Sequence, residues 1–344
     1  MMWGGAMTIE RETTGLSRRG ALAGGLATGV LATGALATAA RAQSVRVDNA
    51  AAMNGANQVA IGSFIVAFLT DRTDRARAGG GLLGGGFGGR STARSALEGV
   101  SDADFQQATD AAYADFLSQL ASAGYQVGDR TALVEAFTKN RARPLDNGLE
   151  RDVILDRDSR AKAKVFSPVE LGGVWLPREV LGHISAPGFS GNQAAVGISM
   201  GGTAHARATG QAAINAFYVV DFANAETYGG WFRNSSAVSV KAGLAVMPDV
   251  SKVFAYAPNG RVSSVTLREP IAVGGDFGEF VDATTRGQRT AELAANVIGV
   301  LGGIGTNSTR RYAMTADPER WRAGVSEVTT AATARALGAL RSGR

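Results

Sequence analysis

Apolar positions along the chain follow two different periods. In Gln58–Thr70, QVAIGSFIVAFLT, they run on almost without interruption, rich in β-branched and aromatic residues and nearly free of charge. That composition predicts a buried strand, with Gly62-Ser63 as the place for a bulge. Ile214–Phe222, INAFYVVDF, predicts a second buried strand. Ser236–Met247 alternates instead, Val238, Val240, Ala242, Leu244 and Val246 sharing one side, as a half-buried strand does. Lys252–Ala257 and Arg261–Arg268 flank Pro258-Asn259-Gly260 and predict a hairpin. Arg310–Thr315 is a further strand candidate.

The 3–4 residue period is clearest in Ser101–Ala123. Phe105, Ala108, Ala112, Phe116 and Leu120 form one apolar face, Ser101 and Asp104 are spaced as a capping box, and Gly124 is suited to a left-handed stop. Tyr125-Gln126-Val127 then predicts a short strand, and Asp129 or Thr131 opens a helix to about Asn140. Ala204–Ala213 and Thr285–Leu301 also suit helices. Asp317-Pro318 opens a last one, with Trp321, Val325, Val328, Ala332 and Leu340 on one stripe. Between these lie segments without a period. Asp71–Arg77 is polar, and Gly79–Gly89 is a glycine loop, 8 of its 11 residues being Gly. Arg141–Ser159 and Lys164–Gly202 are broken by Pro and Gly, so irregular insertions are expected near 71–100 and 141–202. The order of elements predicts an α/β (α+β) fold: a mixed sheet flanked by helices, with an antiparallel hairpin portion and long Gly-rich loops.

Composition narrows the chemistry. The 344 residues contain no Cys and two His, which excludes disulfides, thiolate sites, cysteine nucleophiles and a lipoprotein cysteine, and argues against a histidine-rich metal site. The N-terminus predicts export. Ser17-Arg18-Arg19 precedes an apolar run, Ala21–Ala40, which closes in the small-x-small site Ala40-Arg41-Ala42. The paired Arg18 and Arg19 resemble a twin-arginine signal, although Ala21 stands where Phe is usual. The expected organisation is therefore a signal peptide over 1–42, with Ala40 and Ala42 as cleavage residues, and a single domain over 43–344. The first 42 residues hold four of the 35 Lys and Arg and two of the 30 Asp and Glu, leaving 31 against 28, a net of +3. This balance gives no electrostatic case for nucleic acid. No further apolar window of spanning length follows, so the expected product is a soluble periplasmic protein.

Three segments carry a resemblance to a known group. VAIGSF at residues 59–64, the stretch YADFLSQLASAGYQVGDRTAL, and the INAFYVVDF strand look like the α/β domain shared by several Gram-negative envelope proteins. These are the curli secretion-channel subunit, the lipoprotein activators of penicillin-binding proteins and the TolB amino-terminal domain. Gly124, Tyr125, Val127, Asp129 and Arg130 fit that group's Gly-Tyr-x-Val-x-Asp-Arg strand end. The resemblance covers about half of the mature chain and implies action by protein contact, with no catalytic residues. The missing lipoprotein cysteine departs from the group's lipoprotein members.

Motifs for chemistry are few. Gly197-Ile198-Ser199-Met200-Gly201-Gly202 spells a nucleophile elbow. That chemistry needs a His downstream of the acid. His183 precedes Ser199 and His205 follows it by only six residues, so a Gly-rich loop before a helix is the preferred reading. Gly84–Ser91 imitates a phosphate loop with Arg90 where Lys belongs. Glu226 with Asp221, or Asp276 with Glu279, could pair as carboxylates, and Trp175 and Trp231 with Tyr228 and Phe232 could form a glycan platform. No cofactor, catalytic residue or metal site is expected. The expected function is an exported, non-enzymatic envelope protein acting through contact with another envelope protein or through self-association. Leu82, Leu83 and Phe87 of the glycine loop are its candidate contact residues. A periplasmic serine hydrolase using Ser199 and a small-ligand or glycan binder are the alternatives.

Overall fold

The structure, a computed structural model, describes residues 44–77, 90–155, 159–185, 188–223, 242–283 and 308–342. These lie in one compact unit, Gln43–Arg344. Arg18, Arg19, Ala40, Ala42, Leu82, Leu83, Phe87 and the predicted helix Thr285–Leu301 lie outside the described residues.

Among the described residues, thirteen strands form one mixed sheet. In chain order they are β1 (Val45–Asp48), β2 (Gln58–Arg77), β3 (Arg90–Glu98), β4 (Gln126–Val127), β5 (Leu149–Ile154), β6 (Arg160–Phe166), β7 (Ala212–Ala223), β8 (Ala242–Val246), β9 (Lys252–Tyr256), β10 (Val262–Leu267), β11 (Ile271–Val273), β12 (Gly278–Asp282) and β13 (Ser308–Ala316). The described α-helices are α1 (Asp102–Ser122), α2 (Thr131–Lys139), α3 (Gly188–Thr209) and α4 (Pro318–Ser342). The fold is α/β, as the element order predicts.

The 20-residue β2 is the spine. Val66–Phe68 pair with β7 in parallel and with β6 antiparallel, and Asp71–Thr73 pair with β3 and β6. The run to Thr70 is apolar because both faces there are covered. The register against β7 shifts between Ile61 and Ser63, the predicted bulge at Gly62. A carbonyl freed at a bulge needs a donor. Arg130 supplies it, its guanidinium donating to the carbonyls of Ile61 (3.2 Å), Gly62 (3.3 Å) and Leu171 (2.8 Å).

Helices cover both faces. On one, Phe64 and Phe68 pack against Tyr113, Phe116 and Phe105 of α1 and Trp321 of α4, with ring centroids 4.9–5.4 Å apart. Tyr218 of β7 bonds Thr333 of α4 there, at 2.9 Å. Tyr256, in register with Ala213, lies on the opposite side of the sheet from Tyr218 and meets α3. Helix ends follow local rules. Ser101 and Asp104 close a capping box on α1, Gly124 follows at φ +86°, and Asp317 accepts from the amides of Glu319 and Arg320 ahead of α4.

Three expectations need correction. Asp71–Arg77 continues β2 instead of leaving it, since Arg72 and Asp74 neutralise each other on one side. Arg141–Ser159 and Lys164–Gly202 contain order: β5 and β6 form a hairpin, and α3 begins at Gly188. The alternation Arg160-Ala161-Lys162-Ala163-Lys164-Val165 puts Ala and Val inward and long cations outward, so charge concealed a strand. The helix expected over Ala204–Ala213 is the end of α3, and Ala212 already belongs to β7.

Candidate functional site

Ser199 lies in the middle of α3, so it is neither on an elbow nor in a loop before a helix. The glycines around it serve packing. A Cβ at Gly201 would stand 2.8 Å from the Ala136 carbonyl oxygen, one at Gly197 would strike the Asn140 carbonyl, and one at Gly202 would enter the Tyr256 ring. Close approach of α2 and Tyr256 thus demands the same residues that a nucleophile elbow would.

Ser199 is 3% exposed, and its hydroxyl meets the short turn Arg178–Val180. It donates to Glu179 Oε2 at 2.6 Å and accepts from the Arg178 amide at 3.2 Å. Tyr256 OH donates to the same carboxylate oxygen at 2.6 Å and lies 3.0 Å from Ser199 Oγ. Lys252 Nζ donates to the Glu179 carbonyl at 3.0 Å. Burial and the Glu179 charge push the Tyr256 phenol well above its usual range, and burial pulls the Lys252 ammonium down. The cluster fastens the 178–180 turn to α3 and β9 through charge-assisted bonds. His205 is engaged elsewhere, its Nε2 lying 3.1 Å from Gln211 Oε1.

A second polar cluster lies within the sheet. Arg72 holds Asp74 in a fork, at 2.7 and 2.8 Å, and also bonds Asp221 of β7. Ser159 Oγ donates to Asp74 at 3.1 Å. The Arg72 and Asp221 side chains are 3% and 0% exposed. Sequence reasoning read Asp71–Arg77 as loop and missed this ion pair; the signal was Arg and Asp two residues apart, on one face of a strand.

Above it, β2, β3, β5, β6 and β13 floor a groove of about 630 Å³. Arg94, Arg160, Lys162 and Arg311 line it together with Asp71, Glu98 and Asp152. All seven are exposed. Strand register explains their convergence. Thr73 stands opposite Arg94 on one side and Arg160 on the other, and Arg94 stands opposite Arg311. One transverse row thus reads Arg311, Arg94, Thr73, Arg160. The next row reads Ala96, Asp71, Lys162, Asp152.

The remaining motifs disperse. Arg90 and Ser91 open strand β3, whereas a phosphate loop would lead into a helix N-terminus; Gly84–Gly89 lie outside the described residues. Asp221 pairs with Arg72, and Glu226 lies outside the described residues. Asp276 accepts from Arg320, while Glu279 is exposed. Trp175 is buried against Phe137, its Nε1 donating to the Leu171 carbonyl, so it belongs to the core and not to a glycan platform. Trp231, Tyr228 and Phe232 lie outside the described residues. Among the described residues no group of His, Asp or Glu is placed to hold a metal ion, and no helix is long and apolar enough to cross a membrane.

The surface of α3 differs from that of its fellow helices. Across 22 residues its one formal charge is Arg207. Phe189, Val196 and Met200 are 79%, 38% and 56% exposed. Spaced by seven and four residues, they share an arc of about 40° at 100° per residue, with Arg207 in the same arc and Gln193 about 20° beyond its edge. By contrast, α4 carries Glu319, Arg320, Arg322, Glu327, Arg335 and Arg341. No protein-family profile, curated protein or solved structure matches the chain.

Proposed function

We propose that this is an exported, non-enzymatic envelope protein of the periplasm that works by protein–protein contact, with a second copy of itself as the partner that α3 fits. The observation that carries the reading is the outer face of α3, where Phe189, Val196 and Met200 are exposed and Arg207 is the one charged residue. Exposed faces of surface helices are ordinarily charged, and a contiguous apolar stripe marks an interaction surface. The paired Arg18-Arg19 signal supports export. The fastening of Ser199 by Glu179 and Tyr256 supports a structural serine over a nucleophile.

The stripe matches itself. In an antiparallel copy centred on residue 198, Val196 meets Met200, Gln193 meets Thr203, and Phe189 meets Arg207 across a cation–π contact. Each pair occurs twice, as an isologous interface requires. A membrane-surface helix would carry several Lys or Arg along its flanks, and α3 has one.

The chain has no cysteine, so the register can be tested by cross-linking. Mixing Gln193→Cys with Thr203→Cys protein should give a disulfide-linked dimer that neither variant gives alone. Val196→Glu with Met200→Glu should raise the dissociation constant in sedimentation at least about tenfold while the melting temperature holds. A chain that stays monomeric at high concentration, or a dimer indifferent to both glutamates, overturns the proposal.

A further inference from the structure

We propose that the edge strand β1 controls maturation: the folded precursor is cut between Ala42 and Gln43 only while β1 is detached from β10. The inference rests on the reading of residues 1–42 as an export signal and is independent of self-association through α3.

The fold takes hold of the chain almost at the cleavage site. Ala40-Arg41-Ala42 is the small-x-small site, and one residue, Gln43, separates it from Ser44. Ser44 and Val45 are 6% and 8% exposed. The Ser44 carbonyl accepts from the Arg268 amide at 2.9 Å. Val45–Asp48 run antiparallel to Val262–Leu267, with Val45 opposite Leu267 and Asp48 opposite Ser264. One extended residue spans at most about 3.6 Å. The bond to be cut is therefore within one residue's reach of backbone that is already buried and hydrogen-bonded. A peptidase takes its substrate as an extended strand, whose main-chain groups bond to the walls of a groove. The same backbone cannot serve β10 and that groove at once.

β1 is built to let go. It has four residues, it pairs with β10 alone among the described strands, and only Val45 of the four is buried. An ion pair on its outer face, Arg46 with Asp48, joins residues of the strand itself and does not tie it to the sheet. A terminal strand with so little buried surface opens at a small fraction of the global unfolding free energy. Opening frees the backbone on the carboxyl side of Gln43. Water then adds across the Ala42–Gln43 peptide bond, leaving a carboxylate on Ala42 and an amino group on Gln43, and β1 pairs again. The folded precursor thus matures at a rate set by the population in which β1 is open.

The test is cleavage of the full-length precursor by detergent-solubilised signal peptidase, followed on gels and by amino-terminal sequencing. The chain has no cysteine, so a single disulfide can lock the strand. Arg46 and Thr266 stand opposite each other in the register. Precursor carrying Arg46→Cys and Thr266→Cys should be cut at least about tenfold more slowly when oxidised than when reduced. A Gly-Ser-Gly-Ser insert after Gln43 should speed cleavage by at least about tenfold and make it indifferent to that disulfide. A locked precursor cut as fast as its reduced form, or an insert without effect on a precursor that is cut, overturns the role of β1. If neither the wild type nor the insert form is cut after Ala42, the export reading fails, and this inference fails with it.

Discussion

The Ser199 hydroxyl donates to Glu179 Oε2 at 2.6 Å, joining the middle of α3 to a turn 20 residues earlier. Ser199→Ala removes that donor and also leaves the Arg178 amide without its acceptor. Both losses occur in a buried position, so unfolding free energy should drop by about 1–3 kcal/mol. A fluorophosphonate probe should label neither the wild type nor the variant. Labelling of the wild type at Ser199 would show a nucleophile where this geometry places a fastener.

Arg130 supplies the donors for the bulge. Arg130→Met keeps much of the side-chain volume but strips donors from the carbonyls of Ile61, Gly62 and Leu171. A loss of about 1–2 kcal/mol is expected, since water can reach part of this half-buried site. Faster amide exchange should be confined to residues around Gly62 and to the start of α2. A uniform change across the sheet would argue against a local role.

How far the sequence revealed this architecture depended on which property dominated locally. Where hydrophobicity set the pattern, the reading succeeded: the two buried strands, the β9–β10 hairpin, the capped α1 and the Asp317-Pro318 opening of α4 all stand where expected. Where charge lay on a strand, it failed. Arg72, Asp74 and the alternating cations of β6 resembled solvated loop, yet their period of two was present. Helix α3 was hidden by its own packing. Gly191, Gly197, Gly201 and Gly202 are poor helix formers, but with Ala194, Ile198 and His205 they mark one buried arc at helical spacing. The groove was beyond reach of any linear reading. Its row Arg311, Arg94, Thr73 and Arg160 comes from four strands, and only register unites them.

The buried pair of Arg72 with Asp221 yields a third prediction. Asp221→Asn leaves Arg72 its fork to Asp74 but removes a charge from a fully buried position. The expected loss is about 3 kcal/mol, the low end for breaking a buried pair. Arg72→Met should cost more than Asp221→Asn, because it leaves two carboxylates facing the site of a lost cation. Urea unfolding of both variants measures the order, and equal losses would mean that Asp74 and Asp221 do not share one cation.

The two histidines set the last prediction, the response to mild acid. Burial lowers the pKa of His205, against a weaker opposing pull from its bond to Gln211. Burial likewise lowers that of His183, helped by the Lys252 charge, and Asp249 opposes it only in part. Both imidazoles are thus held neutral in the fold while the unfolded chain protonates near the usual value of 6.5. Below that value the unfolded state binds more protons, so stability falls as pH falls. The contribution is complete above about pH 7 and is lost as the pH drops through 6 toward the folded values. The carboxyls of Asp104, Asp129 and Asp317, held low by hydrogen bonds, lose their contributions only below about pH 4, outside this window. Urea midpoints should therefore be lower at pH 5.5 than at pH 7.5. In a His183→Gln, His205→Gln chain most of that difference should vanish, since glutamine at 205 can still bond Gln211 but cannot take up a proton. A double variant that keeps the full slope would place the acid-sensitive groups elsewhere.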